Sequence, residues 1–164
     1  EARELEDKAR QLERYRSDFF GQMRDLLGDR EGVEIVGDRF VFSSEVLFPP
    51  SSAVLSDEGK AQIERVASLL TEISDQVPEG IDWVIRVDGH TDSTPLSGTG
   101  RYRDNWELSQ ARALAVVRYM TDELGFDPTR LAATGFGEFQ PVAGGDSPEA
   151  LALNRRIEMK LTER

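Results

Sequence analysis

The stretch "GHTDSTPLSGTGRYRDNWELSQARA", residues 89–113, carries the chain from a strand end through a polar loop into a helix. The strand is "IDWVIRVDGH" (81–90), with Trp83, Ile85 and Val87 at alternate positions, as a face set on a core requires. After the loop, Asp104 stands as a helix N-cap and Glu107 follows three residues on, a capping-box-like pattern that fixes the helix start. The helix is expected to run from Asn105 to about Leu124, where Gly125 stops it. At about 100° per residue, Trp106, Ala113, Val117, Met120 and Leu124 share one stripe, read here as the core face. Asn105, Ser109 and Arg112 share a second, polar stripe roughly a quarter turn away.

Asp92 at the strand end and Arg112 in the helix are the chemically informative pair. Arg112 keeps its charge, and its planar fork matches a carboxylate through two parallel hydrogen bonds. Asp92 can receive an ammonium. Two readings stand: a salt bridge that ties loop to helix, or two ends of a clamp for a zwitterion such as the α-amino and α-carboxylate groups of an amino acid.

Upstream, residues 57–76 read as a helix capped by Ser56, with Asp57 and Glu58 in the first turn, where the helix dipole favours acids. Ile63, Val66, Leu70, Ile73 and Val77 form its apolar stripe. "EVLFPPSSAVLS" before it reads as a loop, because Pro49 and Pro50 can join neither a ladder nor a helix interior. "VEIVGDRFVFSS" reads as a hairpin turning at Gly37-Asp38. Downstream, "RLAATGFG" (130–137) is a short strand, residues 149–153 a helical turn, and "RRIEMKLTE" (155–163) a closing strand with Ile157, Met159 and Leu161 on one face. Hairpin, helix, strand, helix, strand, strand implies an α/β or α+β layer with helices packed on a small sheet.

Residues 1–27 read as one helix, ended by "GDREG" (28–32). Leu5, Leu12, Phe19 and Leu26 recur every seven residues, with Ala2, Ala9, Arg16 and Met23 between them, a heptad seam broken at Arg16. The charge on every other face favours an oligomerising coiled coil continued upstream; the alternative is a surface helix on its own domain.

The net charge is −11, of which residues 1–30 carry −1, so the remainder carries about −10. Such a surface repels phosphate backbones, which disfavours nucleic acid and anionic membranes as partners. The absence of cysteine removes disulfides and thiolate chemistry. The chain opens on Glu rather than Met, so a membrane anchor upstream is compatible with it. His90 is the single histidine, without the second histidine most zinc sites use, and is read as a structural residue bonded across the turn. "SGTG" (97–100) lacks the Lys-Ser/Thr of a phosphate loop.

"GHTD", "NWELSQARA", "TGFGEFQP" and "NRRIEMKL", in that order, resemble the successive motifs of the OmpA-like peptidoglycan-binding domain, over about residues 33–163. The long loop between Asp92 and Asn105 and the "NWELS" wording are most similar to MotB-like members. The resemblance implies an α+β two-layer sandwich, a small mixed sheet with two main helices on one face, as residues 31–164, preceded by a coiled-coil stalk, residues 1–30. It implies a non-enzymatic binder of peptidoglycan stem peptides through meso-diaminopimelate, with no cofactor and no metal. Asp92 would take the ligand's ammonium and Arg112 its carboxylate, Thr94 and Asn105 would hydrogen-bond it, and Ser51 and Ser52 would wall the site. Asn154 and Arg155 match the last motif, where a structural role is usual. The setting implied is the periplasm of a Gram-negative bacterium, tethered to the inner or the outer membrane, as a homodimer through the N-terminal helix. The alternatives are an envelope scaffold without wall binding, and a hydrolase using His90 and Asp92.

Overall fold

A computed structural model describes residues 2–27, 33–36, 39–77, 80–97 and 100–163. The elements are α1 (Ala2–Leu27), β1 (Val33–Val36), β2 (Arg39–Ser43), α2 (Ser44–Leu47), α3 (Asp57–Gln76), β3 (Trp83–His90), α4 (Asn105–Arg118), β4 (Leu131–Gly135), α5 (Pro148–Asn154) and β5 (Arg156–Glu163). The strands form one mixed sheet in the order β1-β2-β5-β3-β4. Among the described residues only β3 and β4 run parallel, and α4 makes the crossover between them. The α+β expectation holds, and the chain-terminal strand β5 sits in the middle of the sheet, paired to β2 and β3.

The register sorts the side chains by chemistry. Phe40 faces Met159, Phe42 faces Ile157, Ile85 faces Leu161 and Val87 faces Met159, so one surface of the sheet is apolar. Ile63, Val66 and Leu70 of α3, Ala113 and Val116 of α4, and Met120 just beyond α4 complete a single core with them. Strand alternation puts Arg86, Asp88 and His90 on the opposite surface, across from Lys160, Glu158 and Arg156.

Two glycines set how closely α4 lies on the sheet. A Cβ on Gly89 would stand 2.1 Å from the carbonyl oxygen of Ser109, and one on Gly135 would stand 2.6 Å from the amide nitrogen of Gln110. Only residues without a side chain let the helix backbone come this near. The first of these is the Gly of "GHTD", so one residue sets the height of α4 above the strand end that carries Asp92.

Several expectations are met. Ser56 caps α3 through a bond from the Gly59 amide at 2.9 Å, and Asp104 caps α4 through the Glu107 amide at 3.0 Å. The hairpin strands pair antiparallel from Val33↔Phe42 to Val36↔Arg39, while Gly37-Asp38 and "GDREG" lie outside the described residues.

Others are corrected. The expected stripe holds at Ala113 and Met120, which are buried, and at Val117 and Leu124, which pack against the core, but not at Trp106; Asn105, Leu108, Ser109, Arg112 and Val116 are buried as well. Trp106 is 52% exposed. The polar N-terminal residues are covered by loops rather than left to solvent, so the buried face is centred on them and the Trp106 flank turns outward. The helix ends in a π-helical turn, Tyr119–Glu123, before Gly125 at φ +70°. "EVL" is not loop but part of α2, and Leu47 and the extended Phe48 after it are buried ahead of the prolines. Finally, α1 lies against its own domain: Leu12 is 1% exposed and joins the core, with Tyr15 packed beside it. Ala2, Leu5 and Ala9 of the heptad seam are exposed. The side chains of Arg16, Phe19, Met23 and Leu26 lie outside the described residues.

Candidate functional site

A cavity of about 710 Å³ opens beside the C-terminal end of β3, within the size range of small-ligand pockets. Its walls bring together α2, the proline loop, the loop after β3, the start of α4 and the α5–β5 junction. Asp92, Thr94, Asn105, Arg112, Ser51 and Arg155 all line it.

The proline loop is a β-turn in which the Ser52 amide donates to the Pro49 carbonyl at 3.1 Å. Pro50 occupies the position that favours proline, and Ser51, at φ +57°, occupies the one that favours glycine. Holding a serine there costs about 1–2 kcal/mol. The turn presents two carbonyls to α4: Arg112 Nε donates to Ser52 O at 2.8 Å and Nη2 to Pro49 O at 3.5 Å. The guanidinium also lies over the Phe48 ring, 5.2 Å from its centroid. Arg112 is 5% exposed, and burial draws its pKa below the ordinary guanidinium value. Among the described residues it forms no ion pair with a carboxylate, and Nη1 makes no hydrogen bond.

Asp92 is held differently. Its Oδ1 accepts from the Thr94 amide at 2.9 Å, and its Oδ2 meets Arg155 Nη1 at 2.6 Å. Arg155 also bonds Glu45 through Nη2. Burial pulls the Arg155 pKa down, but hydrogen bonds to Glu45 and Asp92 more than restore it, and the net shift is upward. The salt bridge open to Asp92 and Arg112 from the sequence is therefore not formed; both point to one cavity with separate partners.

The remaining expected site residues divide. Asn105 Nδ2 reaches Thr94 O at 3.1 Å, Asp92 O at 3.3 Å and Glu138 Oε1 at 3.4 Å, so it trusses the loop that carries Asp92. Ser52 acts through its carbonyl, while its hydroxyl accepts from the Val54 amide. Asn154 does not line the cavity: its Oδ1 accepts from the Val142 and Ala143 amides at 2.8 and 3.0 Å, which fixes that loop. Arg155 is the opposite case, a residue of the last motif that enters the site. Sequence reasoning missed Glu45, Phe48 and Glu58, which line the cavity from segments read there as loop or as helix cap. Glu45 and Phe48, just ahead of Pro49-Pro50, were the available signal.

His90 stands on the far side of the sheet. It stacks on Phe136 with centroids 5.0 Å apart, and neither ring nitrogen has a hydrogen-bond partner among the described residues. The bond across the turn is thus replaced by stacking. Asp88, His90 and Glu158 come close enough together to suggest a metal site. However, Arg86 bonds both oxygens of Asp88 at 2.8 and 3.1 Å, and Arg39 and Arg156 hold Glu158 at 2.7 and 2.6 Å. Three guanidiniums already match the carboxylates, so the donor set has no net negative charge to offer a cation.

Comparison with known proteins follows the same lines. The sequence profile of the OmpA family matches residues 47–155. Motility protein B of Bacillus subtilis is 30% identical over 74% of this chain and 47% of its own length. The structure of a MotB-like protein from Desulfovibrio vulgaris superposes with a TM-score of 0.80 at 28% identity, over 96% of both chains. The cell wall anchor of the type VI secretion system from Pseudomonas aeruginosa superposes with a TM-score of 0.68 at 33% identity, over 90% of this chain and 96% of that one. The chain spans about half the length of the curated relatives it matches, 44%, 47% and 57% for three of them.

Proposed function

The chain belongs to the OmpA family, and we propose that it binds peptidoglycan without catalysing a reaction, taking the free amino-acid centre of meso-diaminopimelate in the stem peptide. The observation that carries this reading is Arg112, a buried guanidinium without a carboxylate partner among the described residues, facing the same cavity as Asp92. A buried cation bonded only to carbonyls and an aromatic face gains most from an incoming carboxylate. Nη1 is free to take part in a two-pronged contact. Asp92 then receives the ligand's ammonium, which must share or replace Arg155. That a relative by structure is named a cell wall anchor supports the reading.

In this reading the domain anchors an envelope protein to the wall from the periplasm, with a membrane anchor upstream, at the inner or the outer membrane. A homodimer through α1 would use the outward Ala2, Leu5 and Ala9, because Leu12 is spent on the domain.

Calorimetric titration tests the ligand. In a stem peptide with lysine at the third position, the side-chain end offers an ammonium but no carboxylate on the same carbon, leaving Arg112 unpaired at a cost of about 1–3 kcal/mol. The stem tripeptide ending in meso-diaminopimelate should bind about 10- to 100-fold more tightly than the one ending in lysine. Equal affinities would refute recognition at two ends.

A further inference from the structure

Trp106 and Phe139 form an aromatic platform on the outside of the site. Trp106 is 52% exposed and Phe139 57%, and their ring centroids lie 4.9 Å apart at an interplanar angle of 31°. Both rings rest over Gly137, where an added Cβ would stand 3.3 Å from Phe139 Cδ2 and 3.4 Å from Trp106 Cδ2. Gly137 also has φ +63°, which disfavours any side chain there. The floor is tied down on two sides: the Gly137 amide donates to Ser109 Oγ at 3.0 Å, and its carbonyl accepts from the Thr91 amide at 2.9 Å. Among the described residues the Trp106 indole N–H makes no hydrogen bond. Two large aromatic side chains held half in water, with a free donor at the edge, are a contact surface rather than a packing element.

The platform is continuous with the cavity. Asn105 walls the cavity and reaches Glu138 Oε1, Trp106 is its chain neighbour, and Thr91, which bonds Gly137, precedes Asp92. We propose that Trp106 and Phe139 stack against an N-acetylated hexosamine ring of the glycan strand whose stem peptide occupies the cavity. A sugar ring has a C–H face that suits an aromatic plane, and hydroxyl and acetamido oxygens that accept from an indole N–H. It is neutral, as a chain with a net charge of −11 favours over a polyanion. Three extended peptide residues span roughly 10 Å, so the sugar lies within that reach of a bound third stem residue. The proposal rests on the stem-peptide reading above and assigns the sugar a separate contact.

The test uses the full chain and three probes: the stem tripeptide ending in meso-diaminopimelate, the same tripeptide on its disaccharide, and an N-acetylglucosamine tetramer without peptide. Trp106 reports directly by fluorescence, since the other tryptophan, Trp83, is buried. The tetramer should change the emission saturably. The disaccharide should raise tripeptide affinity about tenfold, and Trp106→Ala or Phe139→Ala should erase that gain while leaving tripeptide affinity unchanged. Equal affinity of parent and both variants for the disaccharide tripeptide would overturn the proposal. So would a concentration-dependent dimer abolished by either variant, which would mark the platform as a contact between copies. Failure of the tripeptide alone to bind would instead count against the cavity reading, and the tetramer titration would still decide the platform.

Discussion

Arg155 holds the carboxylate of Asp92: its Nη1 is 2.6 Å from Asp92 Oδ2, and its Nη2 is bonded to Glu45. The acidic end of the site is therefore occupied by the protein's own cation, while the basic end, at Arg112, is open. In the proposed reading, ligand binding is an exchange at one end and an addition at the other.

Weakening the hold on Arg155 should help the ligand. Glu45→Gln removes a part-exposed charge partner, and such pairs contribute about 0.2–1 kcal/mol. Affinity for meso-diaminopimelate should rise up to about fivefold, read by calorimetry. A fall in affinity would show that Glu45, or an Arg155 fixed in place, serves the bound state.

At the open end, the shape of the cation matters as well as its charge. Arg112→Lys keeps a charge but loses the planar fork and its grip on the Pro49 and Ser52 carbonyls. Pull-down by insoluble peptidoglycan should fall about 10- to 100-fold, with a stability loss of about 1–2 kcal/mol by urea unfolding. Parental binding by the lysine variant would dismiss the clamp. Arg112→Ala is less informative, because Arg112 lies on the buried face of α4 and its removal orphans two carbonyls.

Acid should destabilise the fold through His90. Burial first, then the positive charge of Arg156, pushes its pKa down to about 4 from 6.5, against the pull of Glu158; Arg39 and Arg86 face it too. The native state thus binds fewer protons than the unfolded chain between those values. Stability is fully present above pH 6.5 and declines as pH falls toward 4, by up to roughly 3 kcal/mol. Asp88, raised by burial, contributes in the opposite sense. His90→Phe keeps a ring on Phe136 and should remove this part of the slope in urea midpoints measured from pH 7 to 4. An unchanged slope would mean that His90 does not titrate differently on folding.

The close approach of α4 predicts intolerance at Gly89. With a Cβ 2.1 Å from a backbone carbonyl, Gly89→Ala must lift the helix and break the core seal around Ala113 and Val116. The expected cost is at least about 3 kcal/mol. Wild-type stability in a thermal melt would show that α4 can sit higher than it does.

For α1, Leu12→Ala should cost about 2–4 kcal/mol, as for a core leucine, whereas Leu5→Ala should leave the urea midpoint unchanged. Sedimentation of the full chain against one beginning at Gly32 then asks whether the outward face self-associates. Equal monomer masses would count against the dimer.

The sequence alone determined the elements whose signals are local: the Ser56 and Asp104 caps, the alternation of Trp83, Ile85 and Val87, and the placing of one acid before a long loop and one arginine after it. Caps and strand alternation act over a few residues, so they survive without a fold. The tertiary structure decided which surface buries polar groups. Trp106 is apolar yet faces water, and Asn105, Ser109 and Arg112 are polar yet buried, because loops distant in sequence close over the start of α4. It also decided that Asp92 pairs with Arg155, 63 residues away, and that Arg112 binds the turn that precedes α3. Hydrophobic periodicity reports the average environment of a helix face. It carries no record of which distant carbonyl or guanidinium arrives to satisfy a buried charge, and that choice made the site.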